Sequence, residues 1–179
     1  MAELIGLTGK SGAGKTKVCQ DIIHVAYSAG LSVFGFYCPG VFNGEEKTGI
    51  EVRLLPGEET YLLGSLEKEQ KNWQPIGRWW MNPNIFELVN KHLKTFASSD
   101  VLLIDEIGPA EIEGHQGWYG AMNVLKENHF QVGIVSFRPA FIHFFKDNYP
   151  GIQVIDLDKC NQSDLQDLMM QFCKLSPGA

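Results

Sequence analysis

The chain has 179 residues, 44% of them hydrophobic and 20% charged, and a formal net charge of −6. At about 150 residues per domain, this length predicts one domain, and the composition excludes collagen, a coiled coil and a wholly disordered chain. Because a net negative charge gives no general attraction to a phosphate backbone, we expect no nucleic-acid partner.

The first residues predict a strand, a loop, a helix and a second strand. Residues 3–8 form a short apolar run, and the glycine-rich residues 9–16 follow it. Apolar side chains recur at three- and four-residue steps over residues 15–29, which predicts an amphipathic helix ended by Gly30. Residues 31–38 are rich in β-branched and aromatic residues, which predicts a strand.

Residues 41–81 follow a different pattern. Short runs of strand character are separated by turn sequences such as Asn43-Gly44. The runs lie at residues 48–55, 59–63 and 76–81. They predict antiparallel hairpins attached to the main fold, within a single domain that covers residues 1–179.

The rest of the chain returns to alternation between helices and strands. In order, it predicts a helix over residues 83–97 with Asn82 as N-cap, a strand over 101–104, a helix over 118–128, a strand over 131–137, a short helix after Pro139, a strand over 152–155 and a helix over 163–174. Such alternation predicts a mostly parallel sheet covered on both faces, a three-layer α/β sandwich. Residues 161–164 (NQSD) favour helix capping by Ser163 or Asp164 over guanine recognition.

The cysteines and the hydropathy bear on location. No two of the four cysteines form a CxxC pair, so we expect neither a zinc site nor a dithiol redox site, but buried free thiols in a reducing compartment. No apolar run approaches the roughly 18 residues of a membrane span, and the first residues lack the features of a signal peptide. We therefore expect a cytoplasmic protein with no membrane partner, and the sequence identifies no protein partner.

Residues 9–16 read GKSGAGKT and match the phosphate-loop pattern G-x-x-x-x-G-K-[ST]. Its glycines permit backbone angles that turn successive N–H groups onto phosphates. Lys15 places a charge against the β- and γ-phosphates, the Thr16 hydroxyl ligates Mg²⁺, and the following helix points its positive dipole end at the anion. The predicted binding residues of this loop are Gly9, Lys10, Ser11, Gly12, Ala13, Gly14, Lys15 and Thr16.

Two adjacent acids end the apolar strand VLLI, at the edge where open α/β sheets bind ligands. Asp105 is predicted to hold Mg²⁺ through its water shell, and Glu106 to orient or deprotonate an attacking water. Charge that develops on the γ-phosphate calls for one more cation, and Arg138 lies at the same predicted edge. Arg53 and Arg78 belong to the hairpins and reach the site only if those fold back. The predicted catalytic residues are Glu106, Lys15 and Arg138, and the predicted metal ligands are Thr16 and Asp105.

Weaker signals favour structural roles. Packing in the core or the hairpins is favoured over base stacking for the tryptophans Trp73, Trp79, Trp80 and Trp118. A loop position without a catalytic role is favoured for His115.

Four segments together resemble a known family. GLTGKSGAGKT, GFYCPGVFNGEEKTGIEV, IGRWWMNPNIFELV and LLIDEIGPAEIE occur in the order and spacing of the small stand-alone nucleoside-triphosphatases, which are described in thermophiles and, in animals, as cancer-related nucleoside-triphosphatase. The resemblance covers residues 4–168. It implies a RecA-like P-loop fold that slowly hydrolyses ATP, GTP and other triphosphates with Mg²⁺ and little base preference. It also implies nucleotide or metal contacts by residues 9–16 and by Asp105, Glu106, Ile107 and Gly108.

The chain departs from that family's pattern at two places. Pro109-Ala110-Glu111 replaces Lys-Met-Glu or Pro-Met-Glu, and Asn161-Gln162-Ser163 replaces Asn-Arg-Asp. If the missing arginine contributes to catalysis or base contact, turnover is expected to be lower here.

Three functions therefore compete. The leading hypothesis is a Mg²⁺-dependent nucleoside-triphosphate phosphohydrolase. The alternatives are a small-molecule or nucleotide kinase, which would need an acceptor pocket and an arginine-rich lid, and a nucleotide-dependent binding switch or adaptor with incidental turnover.

Overall fold

The computed structural model describes residues 2–57, 59–113 and 116–178. Within these ranges the chain forms ten strands and six α-helices, with a 3-10 turn at Pro139–Phe141. In chain order the elements are β1 (Glu3–Thr8), α1 (Lys15–Ser28), β2 (Val33–Tyr37), β3 (Gly40–Asn43), β4 (Glu46–Leu55), β5 (Thr60–Ser65), β6 (Gln74–Ile76), β7 (Trp79–Met81), α2 (Pro83–Leu93), β8 (Ser99–Ile107), α3 (Pro109–Glu113), α4 (Tyr119–Glu127), β9 (Phe130–Phe137), α5 (Ile142–Asn148), β10 (Gln153–Asp156) and α6 (Gln162–Cys173).

All the strands of the described chain join one sheet, in the order β10-β1-β9-β8-β2-β4-β5-β7-β6, with β3 paired to β4. The strands from β10 to β2 in that order run parallel, so their carboxyl ends meet at one edge. From β4 onward the pairing is antiparallel. The predicted parallel sheet is therefore one half of a larger mixed sheet.

Helices cover both faces of the parallel half. Val101 and Leu103 of β8 join the core beneath α1 and α6, whereas Leu102 and Ile104 join the core beneath α2, α4 and α5. All four side chains are fully buried. This is the pattern of a strand covered on both sides, because successive side chains point to opposite faces. The predicted three-layer α/β sandwich is confirmed.

The predicted antiparallel hairpins of residues 41–81 are present, and they extend the central sheet. β4 pairs directly with β2, with Gly35 opposite Leu55 and Tyr37 opposite Arg53. Since β4 has ten residues and β2 only five, the β3–β4 hairpin runs on past the carboxyl end of β2. It therefore overhangs the edge where the parallel strands end.

Two helix ends refine the predictions. The side chain of Asn82 accepts a hydrogen bond from the Asn84 amide, as predicted for the N-cap of α2, but the helix ends at Leu93 because the next residues adopt tighter turns. The N-cap of α6 is Asn161, not Ser163 or Asp164. Its side chain accepts from both of those amides, and Asp164 completes a capping box.

None of the helices in the described ranges is long and apolar enough to cross a membrane. The four cysteines are free thiols, as predicted, but only Cys19 and Cys38 are buried. Cys160 is half-buried and Cys173 is exposed at the end of α6, so the prediction of burial was wrong for these two.

Candidate active site

The phosphate loop, residues 9–16, connects β1 to α1 at the carboxyl edge of the sheet. Gly9, Gly12 and Gly14 have φ angles of 146°, 84° and 94°. Residues with a Cβ rarely adopt such angles, so these positions require glycine, as the sequence predicts. Gly14 is the N-cap of α1 and offers no side chain to the first helical N–H groups. Those groups are therefore not engaged by a capping side chain and suit an anion.

Lys15 lies across the inside of this loop. Its Nζ donates to the carbonyl oxygens of Gly9 at 2.9 Å and Lys10 at 3.1 Å, and the residue is 7% exposed. Lys10 itself is exposed, and its amide donates to Oδ2 of Asp158 at 2.9 Å. Asp158, which follows β10, was not predicted from the sequence. It fixes the start of the loop from a strand far along the chain.

Asp105 is fully buried and joins three segments of the site. Its Oδ2 accepts from Oγ1 of Thr16 at 2.9 Å and from the amide of Cys38 at 3.0 Å, and its Oδ1 accepts from the hydroxyl of Ser136. The two predicted metal ligands, Thr16 and Asp105, are thus brought together. Cys38 and Ser136 were missed, although both lie at the carboxyl ends of strands that flank β8.

Glu106 turns away from its buried neighbour. Its φ angle of 66° lies in the left-handed region, and the β8–β9 register is irregular between Ile104 and Ile107. The amide of Glu106 donates to Oγ of Ser136 at 2.8 Å, while the residue is exposed at the sheet edge. This left-handed residue is a local strain of the kind that clusters at functional sites, and it separates the directions of the two acids.

The surrounding protein alters the ionisation of Glu106. Desolvation raises the pKa of its carboxyl, and the nearby negative charge of Asp105 raises it further. The positive charges of Lys15, Lys47 and Arg138 act in the opposite direction without cancelling the rise. Glu106 therefore holds a proton more readily than an ordinary glutamate, which suits a general base.

Arg138 follows β9 directly, at the edge where it was predicted. It is exposed and has no ion-pair partner among the described residues, and its charge reaches Glu106. The other two arginines are engaged in the hairpins. Arg53 lies 3.5 Å from Glu51, and Arg78 donates to the carbonyl oxygen of Lys47 at 3.0 Å.

Glu111 holds the segment after the two acids in place. It is 5% exposed, and its carboxylate accepts from the amides of Gly108 at 2.8 Å and Trp118 at 2.9 Å. A Cβ at Gly117 would lie 2.0 Å from Oε1 of Glu111, so glycine at this position allows the carboxylate to reach the Trp118 amide. The side chain of Ile107 is buried in the core, so nucleotide contacts by Ile107 and Gly108 stay a prediction for their backbone atoms.

The oxygen donors of the site suit Mg²⁺. A hydroxyl from Thr16 and a carboxylate from Asp105 are ligands that this hard cation prefers, and it commonly completes its shell with phosphate oxygens and water. Within the described ranges, no three or more His, Cys, Asp or Glu side chains converge on one point. Residues 16 and 105 would therefore bind the ion together with a nucleotide.

The four tryptophans are buried to different degrees. Trp73 and Trp118 are 4% and 3% exposed, which agrees with the predicted packing role. Trp79 and Trp80 are half-buried on β7. His115 lies outside the described residues.

Comparisons with known proteins bear on the family and the fold of this chain. A family model described as NTPase matches residues 4–170. The chain is 33% identical over 106 residues to the nucleoside-triphosphatase THEP1 of Sulfurisphaera tokodaii. The aligned region covers 59% of this chain and 61% of that protein. It is 33% identical over 120 residues to the cancer-related nucleoside-triphosphatase homolog of Mus musculus, which covers 63% of each.

These matches span less than two thirds of the length of either relative. A solved structure of a human cancer-related nucleoside triphosphatase covers 95% of both chains with a TM-score of 0.69 at 21% identity, which confirms the fold. Together the comparisons confirm the family resemblance that the sequence motifs predict.

Proposed function

This chain belongs to the NTPase family, and from that premise we propose that it is a hydrolase that slowly removes the terminal phosphate of ATP, GTP and other nucleoside triphosphates with Mg²⁺. One observation carries the proposal. The Thr16–Asp105 hydrogen bond of 2.9 Å joins the phosphate loop to the paired acids, with Lys15 inside the same loop.

The loop supplies binding. Its amide groups and the start of α1 favour a polyphosphate, and the ammonium of Lys15 is close enough to exchange its carbonyl partners for phosphate oxygens. When bound by Thr16, Asp105 and the nucleotide, Mg²⁺ would neutralise charge on the β- and γ-phosphates. Ser136 keeps the Asp105 carboxylate oriented through its hydroxyl.

Glu106 supplies the base. Its carboxylate accepts a proton from water as the water oxygen bonds to the γ-phosphorus and the bond from that phosphorus to the bridging oxygen breaks. The products are a nucleoside diphosphate and inorganic phosphate, and the proton on Glu106 returns to solvent. Arg138, at the same edge, supports the charge that develops on the departing phosphoryl group.

The test is phosphate release from ATP or GTP without an acceptor, compared between the wild type and Glu106→Gln. We expect the variant to bind nucleotide as before and to lose most hydrolysis, because an amide cannot take the proton. Glu127→Gln, at the exposed end of α4, is the matched control and should hydrolyse normally. Unchanged phosphate release by Glu106→Gln would remove this residue from catalysis.

Binding is tested separately with Lys15→Ala. We expect weaker binding of the triphosphate in calorimetry with Mg²⁺ present, because the loop loses its buried cation. Wild-type affinity in this variant would contradict the phosphate cradle.

The same assays separate the alternatives. Label that appears on an added small molecule instead of in free phosphate would identify a kinase. Tight binding with negligible turnover would identify a nucleotide-dependent switch.

We also propose a cytoplasmic location. The four free thiols support a reducing compartment.

A further inference from the structure

The β3–β4 hairpin carries a lysine toward the candidate site. Lys47 lies on β4 opposite Phe42 of β3, beyond the point where β2 ends. β3 begins only two residues after Cys38, whose amide is bonded to Asp105. The hairpin is therefore anchored beside the buried acid of the site.

The side chain of Lys47 runs back along β3 toward that anchor. A Cβ at Gly40 would lie 2.8 Å from Cε of Lys47 and 2.8 Å from Cε2 of Phe42, so the bare backbone of Gly40 makes room for both side chains. Gly40 has an ordinary backbone conformation, since its φ lies outside the left-handed region. The close approach of Lys47 and Phe42, and not a turn, therefore explains why Gly40 lacks a side chain.

The charge of Lys47 is not neutralised by a local acid. No carboxylate lies within ion-pair distance of its Nζ among the described residues, and the Nζ lies 5.7 Å from the centroid of the Trp79 ring. Arg78 holds the carbonyl oxygen of Lys47 and stacks on the same indole at 4.5 Å, which fixes the base of the side chain. Lys47 is half-buried, and an ammonium without a counter-ion suits an anionic ligand.

The positive charge of Lys47 acts on two groups of the site, the Cys38 thiol and the Glu106 carboxyl. Burial raises the pKa of the Cys38 thiol, and the positive charge of Lys47 opposes that rise. The same charge acts on Glu106, together with those of Lys15 and Arg138. Lys47 therefore shares an electrostatic environment with two cations of the predicted site, although it lies in the antiparallel half of the sheet.

We propose that Lys47 is a further catalytic residue, which contacts the terminal phosphate of the bound nucleotide and stabilises the charge that develops there. Gly40 is a positioning residue, because it allows the lysine chain to run back toward the site. This inference rests on the proposed hydrolysis and adds to it a cation that neither motif contains.

The first experiment measures kcat, KM and diphosphate affinity in Lys47→Ala and Lys47→Arg. We expect Lys47→Ala to lower kcat about tenfold or more, with ADP affinity unchanged because ADP lacks the terminal phosphate. Lys47→Arg should recover most of the loss. Lys68→Ala is the matched control, since Lys68 is an exposed lysine 4.8 Å from the ring of Trp80, and it should change kcat by less than about twofold. A kcat in Lys47→Ala equal to that of the control would overturn the inference.

The second experiment tests Gly40→Ala alone and with Lys47→Ala. The added methyl group meets the flexible end of Lys47 and the Phe42 ring, so we expect a small change in stability but a loss of kcat. If Gly40 acts through the lysine, its effect disappears in the Lys47→Ala background. Equal losses from Gly40→Ala in both backgrounds would show that Gly40 does not act through Lys47 and would overturn that part.

Failure of the proposed function has a different signature. If the wild type releases no phosphate from any common triphosphate, hydrolysis is contradicted and kcat gives no information on Lys47. The test is then the Kd for ADP divided by the Kd for a non-hydrolysable ATP analogue, measured in the wild type and in Lys47→Ala. A ratio that falls in Lys47→Ala upholds the contact with the terminal phosphate, and an unchanged ratio removes it.

Discussion

At the scale of single residues, one serine organises both acids of the candidate site. The hydroxyl of Ser136 donates to the carboxylate of Asp105 and accepts from the amide of Glu106 at 2.8 Å. One buried group thereby fixes the metal-ligand candidate and the backbone of the base candidate. Such supporting partners strongly affect the function of the groups they orient.

We predict that Ser136→Ala lowers kcat about 10- to 100-fold, because both acids lose their shared partner. Stability should fall by about 1–3 kcal/mol, since the buried carboxylate of Asp105 and the amide of Glu106 both lose a hydrogen-bond partner. Steady-state kinetics and chemical denaturation measure the two effects.

Ser99→Ala is the control for this prediction. Like Ser136, Ser99 is buried, but it lies at the start of β8, far from the site. Its hydroxyl donates to the carbonyl oxygen of Val101 at 2.9 Å. It should lose stability without losing kcat. An equal loss of kcat in both variants would refute a specific role for Ser136.

At the scale of elements, β2 has no room for a side chain at Gly35, where it pairs with β8. A Cβ at Gly35 would lie 1.9 Å from the carbonyl oxygen of Leu103, and the φ angle of Gly35 is 123°. No side chain fits there without moving the backbone of one of the two strands. Since β2 leads to Cys38 and β8 to Asp105, this contact lies between the two strands that carry these site segments.

We predict that Gly35→Ala destabilises the protein by about 3 kcal/mol or more, through the clash and the unfavourable φ angle. Gly151→Ala provides the comparison, because Gly151 has a φ angle of 95° but nothing within 4 Å of its added Cβ. Gly151→Ala should lower the free energy of unfolding by only about 1–2 kcal/mol, the cost of the unfavourable φ angle. Thermal unfolding of both variants measures the difference, and equal losses would show that the clash is relieved.

The sequence predicted the local elements and the two motifs because these depend on short-range patterns. Residues 9–16 and the pair Asp105-Glu106 each carry their chemistry in adjacent letters, and helix periodicity located α1 and α2. The partners that complete the site were not predictable in this way. Cys38 contributes a backbone amide that every residue but proline has, and the direction of Lys47 depends on which strand the hairpin joins. Turn chemistry indicates a hairpin but not its pairing with β2.

At the scale of the whole molecule, one buried acid joins several segments at the amino ends of the parallel strands, opposite the site. Asp100, 3% exposed, accepts hydrogen bonds from the amide and hydroxyl of Ser32, from the side chain of Gln131 and from the amide of Gly178. It thereby links β8 to β9, to the residue before β2 and to the segment after α6. Burial raises the pKa of Asp100, but these hydrogen bonds outweigh burial and leave its pKa below the usual range.

We predict that Asp100→Asn lowers stability by about 2 kcal/mol at pH 7, because an amide NH₂ replaces an oxygen that faces two donors. A lowered pKa in the folded state means that the carboxylate stabilises the protein above the unfolded-state value of about 3.9, and that this contribution is lost as pH falls further. The stability gap between wild type and variant should therefore narrow at acidic pH.

Urea denaturation from pH 7 down to pH 3 measures that gap. Asp147→Asn, which changes an exposed acid on α5, should show little difference from wild type at any pH. A gap for Asp100→Asn that stays constant down to the lowest pH would contradict the lowered pKa.

The antiparallel half of the sheet also changes how the molecule meets its neighbours in solution. Without it, β2 would end the sheet as an open strand rich in aromatic residues, ready to pair with another chain. Instead the sheet tapers to β6, a three-residue strand with Pro75 at its centre, and its opposite border is the four-residue β10. Both borders of the sheet are therefore short, so we expect the antiparallel strands to protect the protein from intermolecular strand addition and aggregation.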